Sequence, residues 1–237
     1  MRNMITDNQA NNKRIAKNTL LLYFRMLLTM AITLYTSRVV LKVLGVEDFG
    51  IYNVVGGVVA MFGFLNGALT TSTQRYITFE LEKGNLERLK TIFSTCINIH
   101  AIIAFVVVFL VETVGIWFLY NKMVIPQDRM DAAMWVLQVS ILTTIIAIMS
   151  FPYNADIIAH ERMSAFAYIS IVEVSLKLGI VFLLQLSESF DKLILYAILI
   201  ALVQLLICFC YKRYCNIHFE ESKYYFVFPK IRKRFIF

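Results

Sequence analysis

The chain is poor in charge and poor in helix breakers. Only 16% of its 237 residues are Asp, Glu, Lys or Arg, against about 25% in an average soluble domain, and that deficit excludes a soluble globular composition. Three Pro and nine Gly are spread thinly. With no Ser/Pro-rich or single-residue tract, no linker divides the chain, and one compact unit is the expectation. Cys96, Cys208, Cys210 and Cys215 show no paired CxxC spacing and no His at zinc-finger distance. That excludes a zinc or redox motif of the usual kind and leaves free thiols. Catalytic patterns are missing as well: there is no GxSxG, no HExxH, no Walker loop and no aspartate-rich metal motif. An enzyme is therefore disfavoured, and no cofactor or metal is expected. "HER" at 160–162 reads as a short loop whose His and carboxylate lack further partners. Residues 1–17 are polar and bring no early apolar core or small-residue cleavage site, so a cleaved secretory signal is not expected.

What the chain has instead is long apolar runs. A helix needs about 20 mainly apolar residues to cross a hydrocarbon layer roughly 30 Å thick. Six stretches qualify: 18–41, 51–73, 92–120, 132–155, 164–186 and 193–211. Transmembrane β-strands would be short and alternating, which a run such as "AIIAFVVVFLV" at 101–111 is not. The fold class is all-α: a polytopic six-helix bundle over 18–215, preceded by a tail at 1–17 and followed by a basic, aromatic segment at 216–237.

Charge sets the expected orientation. With the N-terminus cytoplasmic, the inner side collects 16 Lys and Arg, and the outer side only Arg38, Lys42, Lys122, Arg129 and Lys192. That positive-inside bias puts both termini in the cytoplasm. The net charge of +7 is then topological, and nucleic acid is not an expected partner. The segment "NIHFEESKYYFVFPKIRKRFIF" (216–237) mixes aromatics with five basic residues, which suits a cytoplasmic leaflet of anionic lipids. Its abrupt ending reads as a loop leading into further sequence.

Several polar residues interrupt the apolar runs. Arg25 lies about 10 Å into its helix at 1.5 Å per residue. Burial there costs about 2.5–3.5 kcal/mol on insertion scales, so it should face protein or a watery cavity unless it snorkels to the interface. Glu173 and Lys177 fall about 13 and 20 Å deep, on either side of the midplane. At i,i+4 they can pair on one face. A self-neutralising structural pair is the favoured reading, and a proton or substrate relay is the other. Glu112 reads as interfacial and His100 as a satisfied bundle histidine. Gly56, Ala60, Gly63 and Gly67 form a stripe of small residues where another helix can approach and slide. Asn66 and "TTSTQ" at 70–74 continue it towards water.

Three stretches, 18–84, 124–136 and 150–181, resemble the polysaccharide biosynthesis (Wzx-like) flippases of the multidrug/oligosaccharidyl-lipid/polysaccharide exporter superfamily. The pattern "SRxxLxxLGxxxxGIY" from Ser37 to Tyr52 carries most of it. The resemblance implies one six-helix lobe of a two-lobed transporter in the bacterial cytoplasmic (inner) membrane. Such a transporter moves undecaprenyl-pyrophosphate-linked oligosaccharide outward for surface polysaccharide, lipopolysaccharide or O-antigen synthesis. It also implies that the first two helices line the cavity, that Arg25 is the pyrophosphate contact, and that Arg38 receives the head group later. A second lobe, or another copy, would complete the cavity; truncation is the expectation. Pro152 is expected to kink its helix. The competing readings are a drug or metabolite antiporter of the same superfamily, a membrane-bound glycosyl- or acyltransferase, and a structural subunit.

Overall fold

The computed structural model describes residues 2–186 and 191–223, and of residues 2–15, 17 and 66 the backbone alone. The basic, aromatic run at 224–237 and the side chain of Asn66 lie outside the described residues. The chain is all-helical, with no strand among the described residues. Its helices are α1 (Arg2–Ala60), α2 (Phe64–Lys83), α3 (Leu86–Leu110), α4 (Ile116–Asn121), α5 (Met130–Ala159), α6 (Met163–Leu186) and α7 (Lys192–His218). Five continuous helical stretches are long and apolar enough to cross a membrane: Asn18–Lys83, Leu86–Asn121, Gln127–Ala159, Met163–Leu186 and Lys192–His218. The polypeptide is a multi-pass membrane protein.

The six apolar runs of the sequence become five stretches because the first two are joined. Asn18–Lys83 is 66 residues long, about 100 Å if straight, which is far more than one bilayer. It is not straight. Gly45 leaves the helical region at φ 82 and ψ 171, a backbone conformation almost confined to glycine. The side-chain partners before and after this point run in opposite orders. Arg25 meets Ser170 and Phe166, near the start of α6. Asp48 meets Arg129 at the start of α5, and Arg129 in turn holds Asp191 at the start of α7. Thereafter Tyr52 packs on Tyr196 with ring centroids 4.8 Å apart, and Gly56 approaches Ser140. Glu80 finally pairs with Arg88 of α3 at 3.2 Å. The chain thus runs from the Arg162 end of the bundle to the Arg129 end, turns at Gly45, and returns.

α5 lies at the centre, touching α1, α2, α3, α6 and α7. Its buried side chains include Ala133, Val136, Leu137, Ile148 and Ile157. Around it pack Val55 and Val59 of α1, Phe93 of α3 and Leu193 and Ile207 of α7, all essentially inaccessible. Large apolar side chains point outward elsewhere, Phe105, Phe209 and Leu183 among them. Water would not favour that surface, whereas hydrocarbon accepts it. α5 continues through Pro152 to Ala159, although proline leaves one backbone carbonyl without its usual donor.

Local signals place the remaining breaks. Lys83 is followed by Gly84 in the left-handed region at φ 68, and Asn85 caps α3 by accepting from the Arg88 backbone N–H. α1 and α2 are separated by a single 3-10 turn, Met61–Gly63, and mid-helix turns of that kind often mark hinges. Between α3 and α4 the residues Val111–Gly115 form a π turn. Gly115 fits closely there: a Cβ would stand 3.0 Å from a Val111 methyl, which would have to shift by a few tenths of an ångström.

Candidate functional site

Arg25 sits within an apolar stretch and is half-buried. Its Nη1 donates to Ser170 Oγ at 3.2 Å, and its guanidinium lies 4.6 Å from the centroid of the Phe166 ring. Ser170 Oγ itself donates to the Phe166 carbonyl at 2.9 Å. Tyr211 of α7 stands within electrostatic reach of both Arg25 and Glu173, and its ring is 6.4 Å from Phe166. A guanidinium has five N–H donors. Among the described residues the Nε–H is buried without an acceptor, and the cation is held by a serine and an aromatic face with no carboxylate paired to it.

Glu173 is occupied differently. It accepts a hydrogen bond from Lys177 Nζ at 2.6 Å, and both side chains are partly exposed, at 24% and 35%. Arg25 therefore contacts the serine one turn before Glu173, while the glutamate keeps its lysine. Removing one charge strands the other in an apolar run. Glu173→Gln or Lys177→Met alone is expected to cost about 1–2 kcal/mol, and the double change to recover most of it. Thermal unfolding in detergent checks this. A double variant no more stable than the worse single one would rule out a self-neutralising pair.

Arg38 and Lys42, four residues apart, lie on an exposed face of α1. With Tyr35, Val39 and Leu41 they line a shallow groove of about 460 Å³. Farther along, Thr71, Gln74, Arg75, Thr78 and Glu82 of α2 border a second groove of about 350 Å³. The stripe of small residues divides between surfaces. A Cβ on Gly56 would touch only Ser140 Oγ at 3.8 Å, whereas one on Gly63 or Gly67 would meet nothing within 4 Å. Ala60 is exposed too. Among the described residues no helix closes over Ala60, Gly63 and Gly67, so any close approach there comes from outside them.

The pattern between Ser37 and Tyr52 has a structural explanation. Gly45 makes the turn, and Asp48 accepts from Arg129 Nε at 2.9 Å and Nη2 at 2.5 Å. Arg129 Nη1 also donates to Asp191 at 2.6 Å. Asp191 caps α7 by accepting from the backbone N–H groups of Leu193 and Ile194. Partial burial alone would raise the Asp191 carboxyl, but the Arg129 and backbone donors hold it below its ordinary range. One guanidinium thus ties together the turn, the start of α5 and the start of α7.

Two polar residues correct the sequence reading. His100 is fully buried, with Nδ1 hydrogen-bonded to the Cys96 carbonyl at 2.7 Å, yet its Nε2 has no partner among the described residues. Only half of the expected satisfaction is met. His160, read as partnerless, has close partners: Nε2 is 2.5 Å from Glu221 Oε1 and 3.8 Å from Asp156 Oδ1. Phe219 stacks on its ring at 4.0 Å. Burial would raise the Glu221 carboxyl, but the His160 hydrogen bond, its own backbone and the charges of His160 and Lys90 keep it low. Glu112, read as interfacial, lies in the π turn and accepts from Gln138 Nε2 at 3.2 Å.

Comparison of the chain with protein-family models, curated proteins and solved structures returns no match.

Proposed function

We propose that this chain is one lobe of a transporter that moves a lipid-linked oligosaccharide, carried on an undecaprenyl pyrophosphate, from the inner to the outer leaflet of a bacterial cytoplasmic membrane. In this reading the stretch Asn18–Lys83 crosses twice, once before Gly45 and once after it through the end of α1 and α2, so the bundle has six crossings and both termini lie in the cytoplasm. The observation that carries it is Arg25. A guanidinium within an apolar stretch, fixed by Ser170 and Phe166 and left with a buried Nε–H that has no acceptor among the described residues, suits an anion that must pass through hydrocarbon. Pyrophosphate is such an anion, and arginine offers its oxygens a planar fork of donors.

The exposed face of α1 and α2 supports the rest. Arg38 and Lys42 continue the positive charge towards the Arg129 end, where a head group would arrive after crossing. Thr71, Gln74 and Arg75 supply polar groups along the groove of α2, a surface that lipid would not favour. Ala60, Gly63 and Gly67 leave room for a second lobe, whether from further sequence, another polypeptide or another copy. The 3-10 turn at Met61–Gly63 lies within that stripe and suits a helix that bends between inward- and outward-facing states.

The test is genetic. Deleting the gene in its host is expected to trap the lipid-linked oligosaccharide on the cytoplasmic leaflet and to strip polysaccharide from the cell surface, and a plasmid copy is expected to restore both. A deletion strain with normal surface polysaccharide but heightened sensitivity to cationic drugs would favour an antiporter.

A further inference from the structure

The end of α5 carries a cluster that the transport reading does not use. Asp156 is fully buried, and neither of its carboxylate oxygens has a hydrogen-bond partner among the described residues. One turn later on the same face, His160 presents Nε2 at 3.8 Å from Asp156 Oδ1. Glu221 arrives from the segment after α7, with Oε1 2.5 Å from the same nitrogen, and is itself 3% exposed. One ligand atom from each of the three residues can be chosen so that all lie within 4.8 Å of one another. Two buried carboxylates this close repel unless one takes up a proton or a cation lies between them, and an unpaired buried carboxylate is costly. His160 cannot satisfy both, because its Nε2 is a single position. Lys90 adds positive charge near Glu221, and among the described residues Asp156 has no hydrogen-bond partner and only the 3.8 Å contact with His160.

We propose that Asp156, His160 and Glu221 bind one divalent transition-metal cation of the Zn²⁺ or Mn²⁺ type. One imidazole and two carboxylates form a common donor set for such ions. With bonds near 2.1 Å in tetrahedral array, ligand atoms stand about 3.4 Å apart. His160 Nε2 and Glu221 Oε1 must therefore separate by about 0.9 Å as the cation replaces the shared proton, and the Asp156 oxygen must move closer to His160 by about 0.4 Å and to the Glu221 oxygen by up to about 1.4 Å. The proton lost from the His160–Glu221 hydrogen bond goes to solvent. His160 is 23% exposed, which gives the ion a route in. Cys215 is not a ligand, since its thiol already donates to the Tyr153 carbonyl at 3.5 Å. Occupied, the site clamps residues 219–223 onto the end of α5.

The test uses the full chain, purified without a histidine tag in detergent and stripped with chelator. Cys208→Ser and Cys210→Ser are introduced to remove the two less buried thiols. Titration with Zn²⁺ against a competing chromophoric chelator, and with Mn²⁺ followed by electron paramagnetic resonance, is expected to find one site per chain for at least one of the two ions. Asp156→Asn and Glu221→Gln are each expected to weaken it by about tenfold or more, with helix content unchanged by circular dichroism. If Asp156→Asn does not fold, Glu221→Gln carries the test, because its residue lies outside the helices. Absence of a site for either ion, or equal affinity in the parent and the folded variants, overturns the proposal.

Discussion

Arg25→Ala is expected to reduce surface polysaccharide to the level of the deletion strain while the protein still accumulates in the membrane. The change removes a donor set that can contribute about 1.5–3 kcal/mol per charge-assisted hydrogen bond, so affinity for the pyrophosphate group falls roughly 10- to 100-fold at one bond. Stability suffers little. The alanine relieves the burial cost of a cation tethered, among the described residues, by Ser170 Oγ and the Phe166 ring, and Ser170 Oγ keeps its bond to the Phe166 carbonyl. Arg25→Lys keeps the charge but loses the fork, so partial function is the expected result. Quantifying surface polysaccharide alongside membrane abundance separates the two effects. Full activity in Arg25→Ala would remove Arg25 from the substrate path.

Arg129→Ala is expected to have the largest effect on stability, about 2–3 kcal/mol. The guanidinium is 23% exposed and its partners Asp48 and Asp191 are 19% and 30% exposed. The loss exceeds that of a surface pair but falls short of the 3–5 kcal/mol typical of a fully buried one. The deletion also leaves two carboxylates facing each other at the point where three chain segments meet. Arg129→Lys satisfies at most one of them well and is expected to lose about half as much. The pH dependence has a definite sign. Asp191 is held below its ordinary range, so its stabilising contribution is complete above the unfolded value of about 4 and is lost as pH falls through the lower folded value. Acid should therefore erode the parent protein more than Arg129→Ala. Unfolding midpoints in detergent at neutral and acidic pH check both points, and equal midpoints for parent and variant at neutral pH would remove the triad from the fold's stability.

Local chemistry was legible in the sequence, and long-range pairing was not. Run length alone identifies the all-helical membrane class, because only a helix can satisfy its backbone within an apolar stretch of 20 residues. The Glu173–Lys177 spacing places its two charges on one face. The turn at Gly45 lies between the first two apolar runs, but it is a kink at one non-helical residue and not a loop, so the two runs form one stretch and five stretches stand where six runs were counted. By contrast, Arg25 meets Ser170 across 145 residues, Arg129 meets Asp48 across 81, and His160 meets Glu221 across 61. Periodicity has no access to such separations. Arg129 looked like one more outer charge and His160 like a loop residue for that reason. A buried Asp one turn before a His was the only local hint of the cluster at the end of α5.

The most direct test of the account follows the substrate itself. In spheroplasts, a membrane-impermeant glycan-modifying reagent reports how much lipid-linked oligosaccharide has reached the outer leaflet. The account predicts that this fraction collapses in the deletion strain, returns with the parent gene, and fails to return with Arg25→Ala at equal protein abundance. An outer-leaflet fraction that is the same in all three strains would contradict it.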